Sequence, residues 1–201
     1  MTAILSVMGC VASVWIIVGV KAAASRYPGY NHRTQFLSEL GATGSPTQKF
    51  SPLVNNFPLA FLFMVFGWFL YSRLPESLSV KVMGGSVIAH GLATLIAGIW
   101  SMDADPYTQT PSLSGKIHGA AGVVMFISLV IAPAASLCSP LFGWDFKIFT
   151  AVCIALSLAT SILLAKAFTA RGAVGLYQRL SYGAQLLWLS CLSWWVFLTR
   201  M

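Results

Sequence analysis

Six apolar stretches, at 3–24, 52–71, 80–100, 117–138, 146–168 and 180–198, occupy most of this chain of 201 residues. A helix needs about 20 residues to cross roughly 30 Å of hydrocarbon, and each stretch is close to that length or beyond it. Charged residues enter these stretches only near their ends, at Lys21, Lys81, Lys147 and Lys166. Over the whole chain Asp, Glu, Lys and Arg make up 8% of residues, against roughly 25% in a soluble domain. So few charges do not cover a water-facing surface, and lipid is the solvent the chain is built for. The expectation is an all-α polytopic membrane protein: a bundle of six transmembrane helices, one domain over 1–201, with both termini on one side.

The net charge of +7 does not point to nucleic acid, because the Lys and Arg residues flank the apolar stretches, where membrane proteins keep them. Membrane lipids are the expected partners, and protein partners are left open. Cys10, Cys138, Cys153 and Cys191 fall singly, with no CxxC pair, so neither a thiol–disulfide centre nor a cysteine zinc site is expected. The first stretch has no basic segment before it and its end at Lys21 has no convincing cleavage site, and it reads as a span rather than a signal peptide.

Local signals set the finer expectations. Ser51-Pro52 suits a helix start, and Pro58 and Pro133 should kink their spans. The segment 25–51 is the longest loop. Within it Phe36, Leu37 and Leu40 share one helical face, followed by Gly41, which predicts a short interfacial helix over 32–40. Ser45-Pro46-Thr47-Gln48 matches a capping box. Gly84, Gly91 and Gly98 recur every seven residues along the third span, and Gly115, Gly119 and Gly122 cluster at the start of the fourth. The third and fourth spans are therefore expected to pack closely.

Polar residues collect in the span halves nearest the odd-numbered loops: Asn55 and Asn56, His118, Ser157, Thr160 and Ser161, Tyr182 and Gln185. Polar groups in a bilayer are costly unless they face the bundle interior or water, so this clustering predicts a polar cleft at that membrane face. His90 lies deeper, with Ser86 and Thr94 a turn away, and two readings stand: a satisfied interior histidine or a residue of the cleft floor.

The segments RYPGYNHRTQFLSELGATGSP, NNFP, MDADP, KIHGAAG and GLYQRLSYGAQLLW resemble an uncharacterised family of small six-helix prokaryotic membrane proteins, domain of unknown function 998. More distantly the layout is similar to FRAG/DRAM/Sfk-type membrane proteins, linked with lipid handling. The resemblance implies the six-span fold, a prokaryotic inner membrane and cytoplasmic termini, but no reaction. Lys and Arg number eight by the odd loops and four by the even ones, which by itself would turn the odd loops to the cytoplasm. Removing Arg26, Arg33 and Arg179, which belong to the motif segments, leaves five against four.

Two chemistries use the same cluster. In the first, the chain binds an anionic lipid or another amphiphile. Arg26, Arg33 and Arg179 fork onto phosphate, His32, Asn55, Asn56, His118, Tyr182 and Gln185 add further polar contacts, and Glu39 and Asp103 orient the arginines. No cofactor is required. In the second, a metal-dependent membrane hydrolase, Glu39, Asp103 and His118 hold a metal ion; Asp105 is an alternative to Asp103. Whether the chain is an enzyme is left open, as is a scaffold or accessory subunit without a ligand. Under both chemistries Glu39 is expected to reach Arg26, Arg33 or Arg179 and to lie near Asp103 or His118.

Overall fold

The computed structural model describes residues 2–199; Arg200, counted above with the even-numbered loops, lies outside them. The described residues are helical or loop, with no strand among them. Helices α1 (Thr2–Ser6) and α2 (Met8–Ala24) make the first rod, and α3 (Phe50–Val54) and α4 (Asn56–Arg73) the second. Four single helices follow: α5 (Leu78–Ile99), α6 (Leu113–Leu137), α7 (Trp144–Thr169) and α8 (Val174–Thr199). Phe50–Arg73, α5, α6 and α7 are each long and apolar enough to cross a membrane by themselves. Helix α2 is apolar but has 17 residues, and α8 has 26 but is less apolar because Gln178, Arg179 and Gln185 fall in its first half. Both are full members of the bundle. Each rod packs on its neighbour in the chain, and the first closes a ring against the last.

The even-loop half of the ring is filled by large side chains. Phe63, Phe66 and Phe69 of α4, Met83 and Val87 of α5, and Trp188 and Leu192 of α8 are fully buried. With lipid outside, apolar transfer favours neither surface, so close packing and internal hydrogen bonds hold such helices together. Trp188 meets this need by donating from Nε1 to Thr150 Oγ1 at 3.1 Å.

The glycine face of α5 is buried, but its partner is α4 and not the expected α6. A Cβ on Gly84 would lie 2.7 Å from the Tyr71 amide nitrogen, and one on Gly91 2.9 Å from the Ala60 carbonyl oxygen. On α4, Gly67 reciprocates, with its own Cβ position 2.7 Å from the Ile88 amide nitrogen. Small residues permit backbone approach without naming the helix that approaches. Gly119 and Gly122 of α6, by contrast, have nothing within 4 Å of where a side chain would begin.

Pro58 acts through the bond it cannot make. Lacking an N–H, it leaves the Val54 carbonyl without its helical donor, and the rod breaks at Asn55, whose φ and ψ are −112° and −74°. The freed Val54 oxygen accepts from Trp15 Nε1 at 2.8 Å, joining the first two rods. Helix α6, in contrast, runs on through Pro133.

Loop one forms no α-helix over 32–40. It contains a 3-10 turn, Leu37–Gly41, with Leu40 fully buried. The reason is local competition for the backbone. Asn31 Oδ1 accepts from the Arg33 amide at 2.9 Å, Gln35 Oε1 from the Asn31 amide at 2.8 Å, and Glu39 Oε1 from the Phe36 amide at 2.7 Å. The expected box at 45–48 is also rearranged: Gln48 Oε1 takes the Gly44 amide at 2.8 Å, while Ser45 and Thr47 hydroxyls both donate to the Leu40 carbonyl.

Candidate ligand cavity

The odd-loop half of the ring is built from smaller and polar side chains at the levels where the other half has Phe and Trp, and it is not filled. A cavity of about 630 Å³ remains, walled by residues of all six rods and of the loop-one turn. Small-molecule sites typically occupy roughly 300–1,000 Å³. Gly119 and Gly122 keep the α6 wall thin, and Val123, Phe126 and Ile127 continue it downward.

His90 and Tyr182 lie on this wall, inside a fixed network. His90 is fully buried, with Nδ1 2.9 Å from the Met125 carbonyl oxygen and Nε2 2.9 Å from the Tyr182 hydroxyl. A carbonyl only accepts, so Nδ1 carries the hydrogen and Nε2 receives the one from Tyr182. Phe63 presents its ring to the imidazole edge-on at 4.6 Å. The two readings of His90 are thus both descriptive: it is internally bonded, and it is part of the cavity wall.

Of the residues singled out in the sequence, Asn55, Asn56, His118, Tyr182 and Gln185 line the cavity, whereas Arg26, His32, Arg33, Glu39, Asp103 and Arg179 do not. Arg26 stacks over the Phe50 ring at 4.3 Å and donates to the Ala22 carbonyl at 3.0 Å. Arg33 is exposed, and only its backbone is engaged, its amide by Asn31 Oδ1 and its oxygen by the Leu176 amide, both at 2.9 Å. Arg179 has no carboxylate partner. It donates to the carbonyls of His32 at 2.7 Å, Gln35 at 3.0 Å and Gly175 at 2.8 Å, and to the Tyr30 hydroxyl at 2.6 Å. The guanidinium is thereby a staple holding loop one on the start of α8. Gly175 is part of the staple, since a side chain there would collide with the His32 and Gln35 carbonyls.

The acids likewise serve their own segments. Glu39 accepts from Phe36 N and from Gln35 Nε2 at 3.0 Å, so amides of its own segment, not an arginine, occupy its oxygens. Asp103 accepts from the Ser112 amide at 3.1 Å, and Asp105 from the Tyr107 amide at 2.9 Å. His118 Nδ1 donates to the Trp100 carbonyl at 2.8 Å. The expected meeting of Glu39 with an arginine does not occur, and the ion pair found among the described residues is Lys81–Glu76 on the opposite face. No three His, Cys, Asp or Glu side chains among the described residues are grouped to hold a metal ion. The Glu39, Asp103 and His118 set is therefore corrected: each acid is drawn back to amides of its own loop, where no desolvation is required.

Tyr30, which sequence reasoning passed over, is the centre of the staple. It donates to the Phe36 carbonyl at 2.8 Å while accepting from Arg179, and burial raises its pKa above 10. Gln178, also passed over, takes the Leu37 amide on Oε1 at 2.7 Å and lines the cavity mouth. The legible signal was Gly175 beside two polar side chains in GLYQR. A second clasp stacks Tyr107 on Phe168 at 4.7 Å with Arg171 over the Tyr107 ring at 4.8 Å.

His32 makes the staple sensitive to pH. Its Nδ1 lies 3.3 Å from Arg179 Nη2 and must accept. Burial and the adjacent guanidinium hold its pKa below 6.5. The folded chain then takes up the proton less readily than the unfolded one, so the contribution is complete above pH 6.5 and declines as pH falls below it. Hydrogen exchange of amides 30–36, corrected for intrinsic rates, is expected to quicken between about pH 7 and 5, and His32→Gln should flatten the profile. A profile equally steep in that variant would count against the staple as its origin.

A family model described as "Protein of unknown function (DUF998)" matches residues 10–195. No curated protein and no solved structure matches the chain.

Proposed function

The chain belongs to the DUF998 family of proteins of unknown function, and from the cavity we propose that this integral membrane protein binds one amphiphile, with an uncharged head inside the helix ring. The observation that carries the reading is a space of about 630 Å³ whose wall contains no Lys, Arg, Asp or Glu. An ionised head placed there would lose its water without gaining a counter-charge, a cost of several kcal/mol. Neutral polar groups and apolar side chains share the wall, which suits a molecule with a short polar end and a hydrocarbon remainder. Val123 and Ile127 line the cavity while remaining 57% and 47% exposed, which supports passage of a chain from the bilayer past α6.

Gly122→Phe is the direct test, because open space lies where the new side chain would start. The ring is expected to fill the cavity, cutting the amphiphile that co-purifies by about tenfold, the effect of roughly 1.4 kcal/mol. Stability should change by no more than about 0.5 kcal/mol. Lipid extracts of the two proteins, compared by mass spectrometry, decide the matter. The same lipid content in both would leave the scaffold reading standing.

A further inference from the structure

Four residues of the cavity wall present acceptors that no donor among the described residues meets. Gln185 is buried, and its Nε2 donates to the Phe126 carbonyl at 3.3 Å, while no donor among the described residues meets its Oε1. Asn56 repeats the pattern, with Nδ2 on the Thr94 carbonyl at 3.3 Å and Oδ1 without a donor among the described residues. Both amides are oriented by their partners, since a backbone carbonyl accepts and would repel the side-chain oxygen. His118 gives its Nδ1 hydrogen to the Trp100 carbonyl, so the tautomer this bond selects has its lone pair on Nε2. Tyr182 gives its hydrogen to His90, so its oxygen too offers only lone pairs. Helices α4, α6 and α8 thus each turn unmet acceptors to the cavity, beside the second N–H of each of the two amides. Donors gather at the mouth near loop one: Gln178 has its Oε1 taken by Leu37, which leaves its Nε2, and the Ser38 and Ser51 hydroxyls meet no acceptor among the described residues.

We infer that the head of the bound amphiphile is an uncharged hydroxyl-bearing group, one that donates to Gln185, Asn56, His118 and Tyr182. The inference rests on the amphiphile reading above and narrows it. Buried acceptors facing a ligand that only accepts stay unsatisfied, which costs about 1–3 kcal/mol each. Ketones, esters, carboxylates and phosphates bring no donor to these four acceptors. An ammonium head donates but finds no carboxylate in the wall, so its charge is buried uncompensated. A hydroxyl group matches both sides, donating to the wall and accepting from Gln178.

The test uses the full chain in phosphatidylcholine nanodiscs and four probes with carbon chains of the same length: monomyristoylglycerol, myristic acid, methyl myristate and tetradecylamine. Native mass spectrometry reads the bound fraction for the unsubstituted protein, Gly122→Phe and Gln185→Met. Monomyristoylglycerol is expected to be retained about tenfold better than each of the others, a factor that one unmet buried acceptor accounts for. Gly122→Phe should remove that retention, and Gln185→Met should reduce the preference over methyl myristate. If the acid, ester or amine binds as well as the glyceride and Gly122→Phe displaces it, the hydroxyl-head inference is overturned while the cavity reading survives. If no probe is retained, or retention survives Gly122→Phe, the cavity reading falls and the inference with it.

Discussion

Gly84→Leu should prevent the helix ring from forming, whereas Gly85→Leu, one residue along the same helix, should leave it intact. At Gly84 a side chain would begin 2.7 Å from the Tyr71 amide nitrogen and 2.9 Å from the Gly67 carbonyl oxygen, both backbone atoms that cannot rotate away. Helices α4 and α5 would have to separate along the seam that Gly67, Gly84 and Gly91 share. Overpacking a flexible side-chain core costs about 1–3 kcal/mol, and displacing two backbones is expected to exceed about 3 kcal/mol. Gly85 has nothing within 4 Å, so the same substitution there should change stability by less than about 0.5 kcal/mol. Thermal unfolding of both variants in detergent measures the difference. Similar melting temperatures would sink the α4–α5 seam as the organising contact.

Arg179→Ala is expected to release loop one, at a cost of about 3 kcal/mol. Hydrogen bonds from a charged donor contribute about 1.5–3 kcal/mol each; Arg179 makes five, but its half-buried position lets water replace part of them. The His32 and Gln35 carbonyls and the Tyr30 hydroxyl would lose their common donor. Leu37 and Ser38, which close the cavity at its loop end, should loosen with them. Protease cleavage within 30–36 and loss of co-purified amphiphile should therefore appear together in Arg179→Ala. Arg33→Ala should show neither, because its side chain is exposed and unbonded among the described residues. If Arg33→Ala released the amphiphile as fully as Arg179→Ala, the arginines would regain the head-group role that their spacing in the sequence suggested, and that outcome would falsify the staple as Arg179's main task.

The contrast between these two arginines shows how far side-chain chemistry can be read before the chain is folded. Both stand in motif-like segments and both are phosphate forks by residue type. What separates them is the density of backbone carbonyls around each. Gly175 lets loop one approach until the His32 and Gln35 oxygens surround one guanidinium, and nothing similar surrounds the other. Glu39 and Asp103 give the same lesson with opposite sign. Residue type suggested metal ligands or ion-pair partners, but amides of their own loops lay closer.

The sequence by itself determined the solvent, the all-helical class and the half of the bundle where polar groups gather. These follow from hydropathy and from the need of backbone groups to bond within a helix in lipid, both properties of a stretch of chain taken alone. Tertiary structure decided which helix the Gly84–Gly98 face meets, because a small residue permits approach from any neighbour, and it is α4 that lies there, with Gly67 against Gly84. It also decided the character of the cavity. Asn56, His118, Tyr182 and Gln185 are each able to donate or accept. Which role is left for a ligand depends on carbonyls and on an imidazole that other helices bring within hydrogen-bonding distance, His90 being 92 positions from Tyr182. No local pattern encodes that, since the partner that takes the donor is absent until the ring closes.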